Sequence, residues 1–193
     1  EHIIGSVDPY QLDQYRGSAA SRQEALLYCL SSPGKTAWVQ ARNLWLFMSR
    51  LEGKLPYDRV LAAGDKLDWH LAYCGYGTRM QLMAAWRHAV AKVDVDDPTH
   101  LTVKHLVRIP YCSCKTARLI VENLVPEEAR VPEDRRIAIL DTHVLRWLRA
   151  NGHPDAPGIS PQNDAEYRHW EDAWLDLRDR GIADRDLDLW RSM

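Results

Sequence analysis

The chain has 193 residues, 46% hydrophobic and 27% charged, with a formal net charge of −2. That length supports one compact unit with its own core, and the composition is ordinary for a soluble globular domain. The charge argues against a uniformly basic nucleic-acid-binding surface. No apolar run approaches the roughly 20 residues of a membrane span, and the first residues lack the basic-then-apolar order of a secretory signal. Four cysteines, Cys29, Cys74, Cys112 and Cys114, are too few for a disulfide scaffold. They suit a reducing compartment, so the expected location is cytoplasmic.

In chain order, nearly everything reads as helix. Ala20 to Leu30 and Thr36 to Leu51 carry apolar residues at three- and four-residue spacing, parted by Ser-Ser-Pro-Gly at 31–34. Asp65 to Cys74 reads as a short helix closed by Gly75-Tyr76-Gly77, and Thr78 to Val90 as a stronger one. Pro98 opens another, through Leu101, Val103, Leu106 and Val107. A turn at 109–113 precedes a helix from Cys114 to Leu124. A polar connection, Val125 to Arg136, leads to the apolar run Ile137-Ala138-Ile139-Leu140. Asp141 then begins a helix that stops at Asn151-Gly152. Asp164 to Arg180 is a long helix, and Asp184 to Arg191 a short last one. No segment alternates convincingly as a strand. The fold class expected is all-α, a single compact unit over 1–193.

Charge is unevenly spread along this order. Residues 101–150 hold nine Lys/Arg against six Asp/Glu, whereas residues 151–193 hold five against ten. Tryptophan is abundant, at eight residues against one phenylalanine. Most of these indoles are expected in the core. Trp190, outside a strong apolar stripe, is the one picked as a base-stacking candidate.

Two positions carry the chemistry. Lys115 falls in the first turn of its helix, where the partial positive charge of the helix end disfavours an ammonium. Partial burial pushes the same way, toward a neutral and nucleophilic amine. Asp141 follows four apolar residues and starts a helix, a good N-cap. The same carboxylate could stabilise positive charge developing on a substrate. His143, in the first turn of that helix, reads as a structural or phosphate-facing group.

The run Ile109-Pro110-Tyr111-Cys112-Ser113-Cys114-Lys115, followed by Ala138-Ile139-Leu140-Asp141-Thr142-His143-Val144-Leu145-Arg146, resembles the helix-hairpin-helix DNA glycosylases. It is most similar to the small 8-oxoguanine glycosylase/lyases of that superfamily. The likeness spans about residues 20–150 and includes Leu26 to Gly34. The family's hairpin pattern has glycine where this chain has Tyr111 and Ser113.

The resemblance implies two helical lobes, one about 20–130 and the other 1–19 with 131–193. A helix-hairpin-helix-type motif would lie at the cleft between them. It implies Lys115 as nucleophile and Asp141 as its catalytic partner. DNA contacts would come from Tyr111, Cys112, Ser113, Arg108, Arg118 and His143. The expected activity is excision of a damaged base, an oxidised purine favoured, with strand cleavage through a lysine Schiff base. The expected partner is duplex DNA bearing the damaged base, read by a monomer with no cofactor, no metal and no membrane association. The cysteines do not suit the iron–sulfur cluster of some endonuclease III relatives. A monofunctional glycosylase of the same fold and a non-catalytic nucleic-acid-binding module are the alternatives.

Overall fold

The computed structural model of the chain describes residues 3–31, 36–77 and 79–182. Within them the protein is all-helical, with no strand. The helices are α1 (Ala19–Ser31), α2 (Ala37–Arg50), α3 (Pro56–Ala63), α4 (Leu67–Tyr73) and α5 (Arg79–Lys92). They continue with α6 (Val103–Leu106), α7 (Cys114–Leu124), α8 (Thr142–Ala150) and α9 (Asp164–Asp179). Short 3-10 turns join several of them. No helix of the described residues is long and apolar enough to cross a membrane.

The buried apolar residues form two clusters. The larger gathers α1 to α5 with Ala117, Ile120, Val121 and Leu124 of α7. The smaller joins Cys114 and Ala138 to residues of α8 and α9, including Val144, Leu148, Tyr167 and Trp174. Helix α1 is the spine of the first. Ala25 to Leu30 are all buried, and α1 packs against α2, α3, α5 and α7. A helix surrounded on every side needs apolar residues all round rather than one stripe.

The chain crosses between clusters at two places. Helix α7 contributes Cys114 to the smaller and Ala117 to the larger. The run before Asp141 does the same, with Ile137 in one and Ala138 in the other. The N-terminal segment, expected with the C-terminal residues, packs Val7, Leu12 and Tyr15 into the larger cluster. Arg16 fastens it there, donating from Nε to the carbonyl of Asn123 and from Nη2 to that of Glu122, at the end of α7.

Two elements depart from the sequence-based expectation. Helix α3 was not anticipated; Pro56 opens it and the Asp58 carboxylate accepts from the Leu55 N–H at 3.0 Å, a common helix start. The helix expected from Pro98 shrinks to Val103–Leu106. Asp97 Oδ1 accepts from both the N–H and the hydroxyl of Thr99, at 2.9 and 2.7 Å. Such side-chain turns compete with helix formation. The short helix expected at 184–191 lies outside the described residues.

Tryptophan burial also divides. Trp86 and Trp174 are fully buried, but Trp38, Trp45 and Trp69 are more than half exposed. For those three, the core placement expected from the helical pattern is corrected.

Candidate functional site

Helix α6 and helix α7 are joined by the turn Val107–Ser113. Thr102 caps α6, accepting from the His105 N–H. The buried Asp134 carboxylate reaches in from another segment and accepts from the Val103 N–H at 2.8 Å. Burial raises the Asp134 pKa, and that hydrogen bond with the Arg118 charge opposes the rise. His105 stacks on His100 with ring centroids 4.7 Å apart. Burial, then the His100, Arg108 and His88 charges, hold its pKa below the ordinary histidine value.

Tyr111 and Ser113 take different backbone conformations in the turn. Tyr111 has φ of 62°, and among the described residues it alone takes a positive φ without being glycine. A non-glycine residue there costs on the order of 1–3 kcal/mol and persists only where its surroundings impose it. Ser113 is extended instead, at φ −73° and ψ 162°. It is the N-cap of α7: its Oγ accepts from the Thr116 N–H at 3.1 Å. Serine here therefore meets no backbone penalty and supplies a side-chain cap hydrogen bond that glycine lacks. Tyr111 is exposed, while Cys112 is buried. Burial, then Cys114, pushes the Cys112 thiol up to about 12, so it stays protonated and is a poor nucleophile or metal ligand.

Lys115 is half-buried in the first turn of α7. No ion-pair partner is present for it among the described residues. Asp141 is buried and is the N-cap of α8, its Oδ1 accepting from the His143 N–H at 2.8 Å and the Val144 N–H at 2.9 Å. His143 is half-buried. Arg108 is exposed and available to a phosphate.

Arg118 is not. It is 1% exposed and forms a two-pronged pair with Glu171 of α9, Nε to Oε1 at 2.7 Å and Nη2 to Oε2 at 2.9 Å. Burial disfavours its charge, but Glu171, Tyr167 and Asp164 outweigh that and raise its pKa further. The expectation that Arg118 contacts DNA is corrected: its helix face turns inward, and no phosphate can reach it. Trp190 lies outside the described residues.

The same network positions the chain before Asp141. Glu171 Oε1 also accepts from the Ala138 N–H at 2.8 Å. The Tyr167 hydroxyl accepts from the Leu140 N–H at 2.8 Å and donates to the Ala138 carbonyl at 3.1 Å. Its ring lies under the Arg118 guanidinium, 4.1 Å from the centroid. Thus α9 ties one end of α7 to the residues that lead into Asp141. Sequence reasoning missed Tyr167 and Glu171. Their four-residue spacing on one helix face was the available signal.

A cavity of about 340 Å³ opens beside the turn. Cys112, Ser113 and Cys114 line one side, with Ser31, Gln81 and Gln162 on others, and the Gln162 carbonyl accepts from the Cys114 thiol at 3.4 Å. The described residues of its walls are uncharged, and the two amides can each donate and accept. Among the described residues that line it, neither Lys115 nor Asp141 appears. No cluster of metal-ligating side chains occurs among the described residues.

The chain matches no protein-family model and no curated protein.

Proposed function

We propose that this protein is a DNA glycosylase with lyase activity, acting on a damaged or modified base through Lys115 and Asp141. One observation carries the reading. The turn before α7 holds Tyr111 in the left-handed region, at a position where the resembled pattern has glycine, and Lys115 follows in the first turn of α7. Holding a tyrosine in that backbone shape at a steric cost is expected where the turn itself is used.

In this mechanism the target nucleotide leaves the stack, at a cost of a few kcal/mol. As the bond from base to sugar breaks, the Asp141 carboxylate offsets positive charge on the sugar. The Lys115 amine forms a bond to C1′ and gives up its proton to solvent or the leaving base. Ring opening gives an imine, and elimination then breaks the bond from C3′ to the phosphate oxygen, nicking the strand. The cavity lined by Gln81 and Gln162 suits a polar heterocycle. Arg108 and the N–H groups of the turn suit the backbone phosphates.

The test is borohydride trapping on duplexes bearing single lesions. The parent chain should give a covalent protein–DNA adduct, and Lys115→Gln should give none. Base release without any adduct would assign water as the nucleophile. No base release from any duplex would leave a non-catalytic binding module.

A further inference from the structure

Tyr111 is the third residue of a four-residue turn. The Ile109 carbonyl accepts from the Cys112 N–H at 3.0 Å, Pro110 stands second, and Tyr111 has φ of 62°. Proline second with a positive φ third is the type II pattern, whose third residue is ordinarily glycine or asparagine. Ile109 and Cys112, the two ends of the turn, are buried. They anchor it to the core, while Tyr111 points outward with 66% of its surface exposed.

Nothing inside the protein offsets a tyrosine at this position. Among the described residues, no ring, cation or hydrogen-bonding group is paired with its side chain. So exposed a ring gains little from burial, and its left-handed backbone works against folding. Glycine or asparagine would hold the same turn without that cost. A large ring that strains the fold and makes no contact within it is placed for a contact outside it.

Tyr111 also lines the cavity of about 340 Å³ beside the turn. Lining it and exposed at once, the residue stands where the cavity meets solvent. Val107, another wall residue, is exposed as well. The wall residues Leu30, Leu82 and Ala85 are buried and present carbon surface. An apolar floor, a few amides and an aromatic residue at the mouth together suit a flat heterocycle.

We propose that the Tyr111 ring stacks on the extruded base and closes the mouth of the cavity over it. The inference rests on the glycosylase reading and deepens it by naming the group that holds the base. A base leaving the duplex loses the neighbours it stacked on. The Tyr111 ring replaces one of them, and the apolar floor replaces the other. Stacking needs only a π-face and no particular hydrogen-bonding edge. Tyr111 therefore supplies affinity for an extruded base of any kind, and the choice among bases falls to the amides of Gln81 and Gln162.

The test is titration of labelled duplexes carrying 8-oxoguanine, hypoxanthine or uracil at one position. Each is paired with the same duplex bearing a tetrahydrofuran abasic site there. The full chain carries Lys115→Gln, so that no strand is cleaved during titration. For the base bound most tightly, adding Tyr111→Gly should weaken binding by about tenfold and leave the abasic duplex bound as before. Thermal unfolding should show that variant at least as stable as its parent, so the loss is not one of folding. Tyr111→Asn, which suits the backbone but lacks the ring, should lose as much. Tyr111→Phe, which keeps the ring, should lose little. The dependence of affinity on salt should be the same in all of them, because stacking releases no counterions. Base-bearing duplexes bound alike by every variant would overturn the inference. So would an equal loss on the abasic duplexes with a shallower salt dependence, which would make Tyr111 part of a phosphate contact. Borohydride trapping with Lys115 restored separates the two proposals. No adduct, with the Tyr111 pattern intact, removes the lyase chemistry alone; an adduct, with Tyr111→Gly binding as its parent does, removes the stacking alone.

Discussion

Arg118 and Glu171 lie 53 residues apart and meet through two hydrogen bonds inside the protein, both almost wholly buried. The pair joins α7 to α9, and a third hydrogen bond to Glu171 carries the tie to Ala138. A surface phosphate ligand predicted from sequence is thus a structural link between the lysine helix and the aspartate segment.

Breaking that link should be costly. Arg118→Met leaves a buried carboxylate with an uncompensated charge, which typically costs about 3–5 kcal/mol. The double variant Arg118→Met with Glu171→Gln should lose less, because the amide oxygen still accepts from Ala138. Urea unfolding of the parent, the single and the double variant measures both. Equal losses in the two variants would contradict the charge argument.

Asp141 separates structure from chemistry. Asparagine caps helices about as well as aspartate, whereas alanine loses about 1 kcal/mol. Asp141→Asn should therefore unfold near the parent temperature while base release drops by orders of magnitude. Single-turnover release at near-parental rate would reduce Asp141 to a cap.

Tyr111 offers a direct probe of the turn. Tyr111→Gly relieves the left-handed strain but frees the unfolded chain, so a net gain of about 0.5–1 kcal/mol is expected. Tyr111→Val should instead destabilise, since a branched side chain tolerates this region worst. Thermal unfolding of the three proteins gives the order Gly above Tyr above Val.

His105 makes α6 sensitive to acid. Its folded pKa is lowered by burial, then by His100, Arg108 and His88. The folded state therefore prefers the neutral ring. The stability this contributes is present above the ordinary histidine pKa, near 6.5, and is lost as pH falls through the lower folded value. The melting temperature should fall between pH 7.5 and pH 5 more steeply in the parent than in His105→Gln. Parallel slopes would remove His105 from the account.

Arg108, exposed on the turn, replaces Arg118 as the phosphate contact to test. Arg108→Ala should weaken binding of all duplexes alike and lower the salt slope by about one, leaving lesion preference unchanged. Electrophoretic titration at several salt concentrations reads both.

Several features were legible in the chain itself because they are local. Periodicity at three and four residues announced α1, α2, α7, α8 and α9. A short polar residue before an apolar helix announced the Asp141 cap, whose partners are only two and three residues away. Other features belong to the tertiary structure. Arg118 reads as a surface cation until α9 brings Glu171 against it, and Trp38 and Trp45 read as core until α2 is seen to turn them outward. Helical spacing says which residues share a face, but only packing decides which face is covered. Tyr111 shows the same division: its sequence neighbours place a turn there, and the packed helices on either side impose the left-handed backbone that tyrosine itself disfavours.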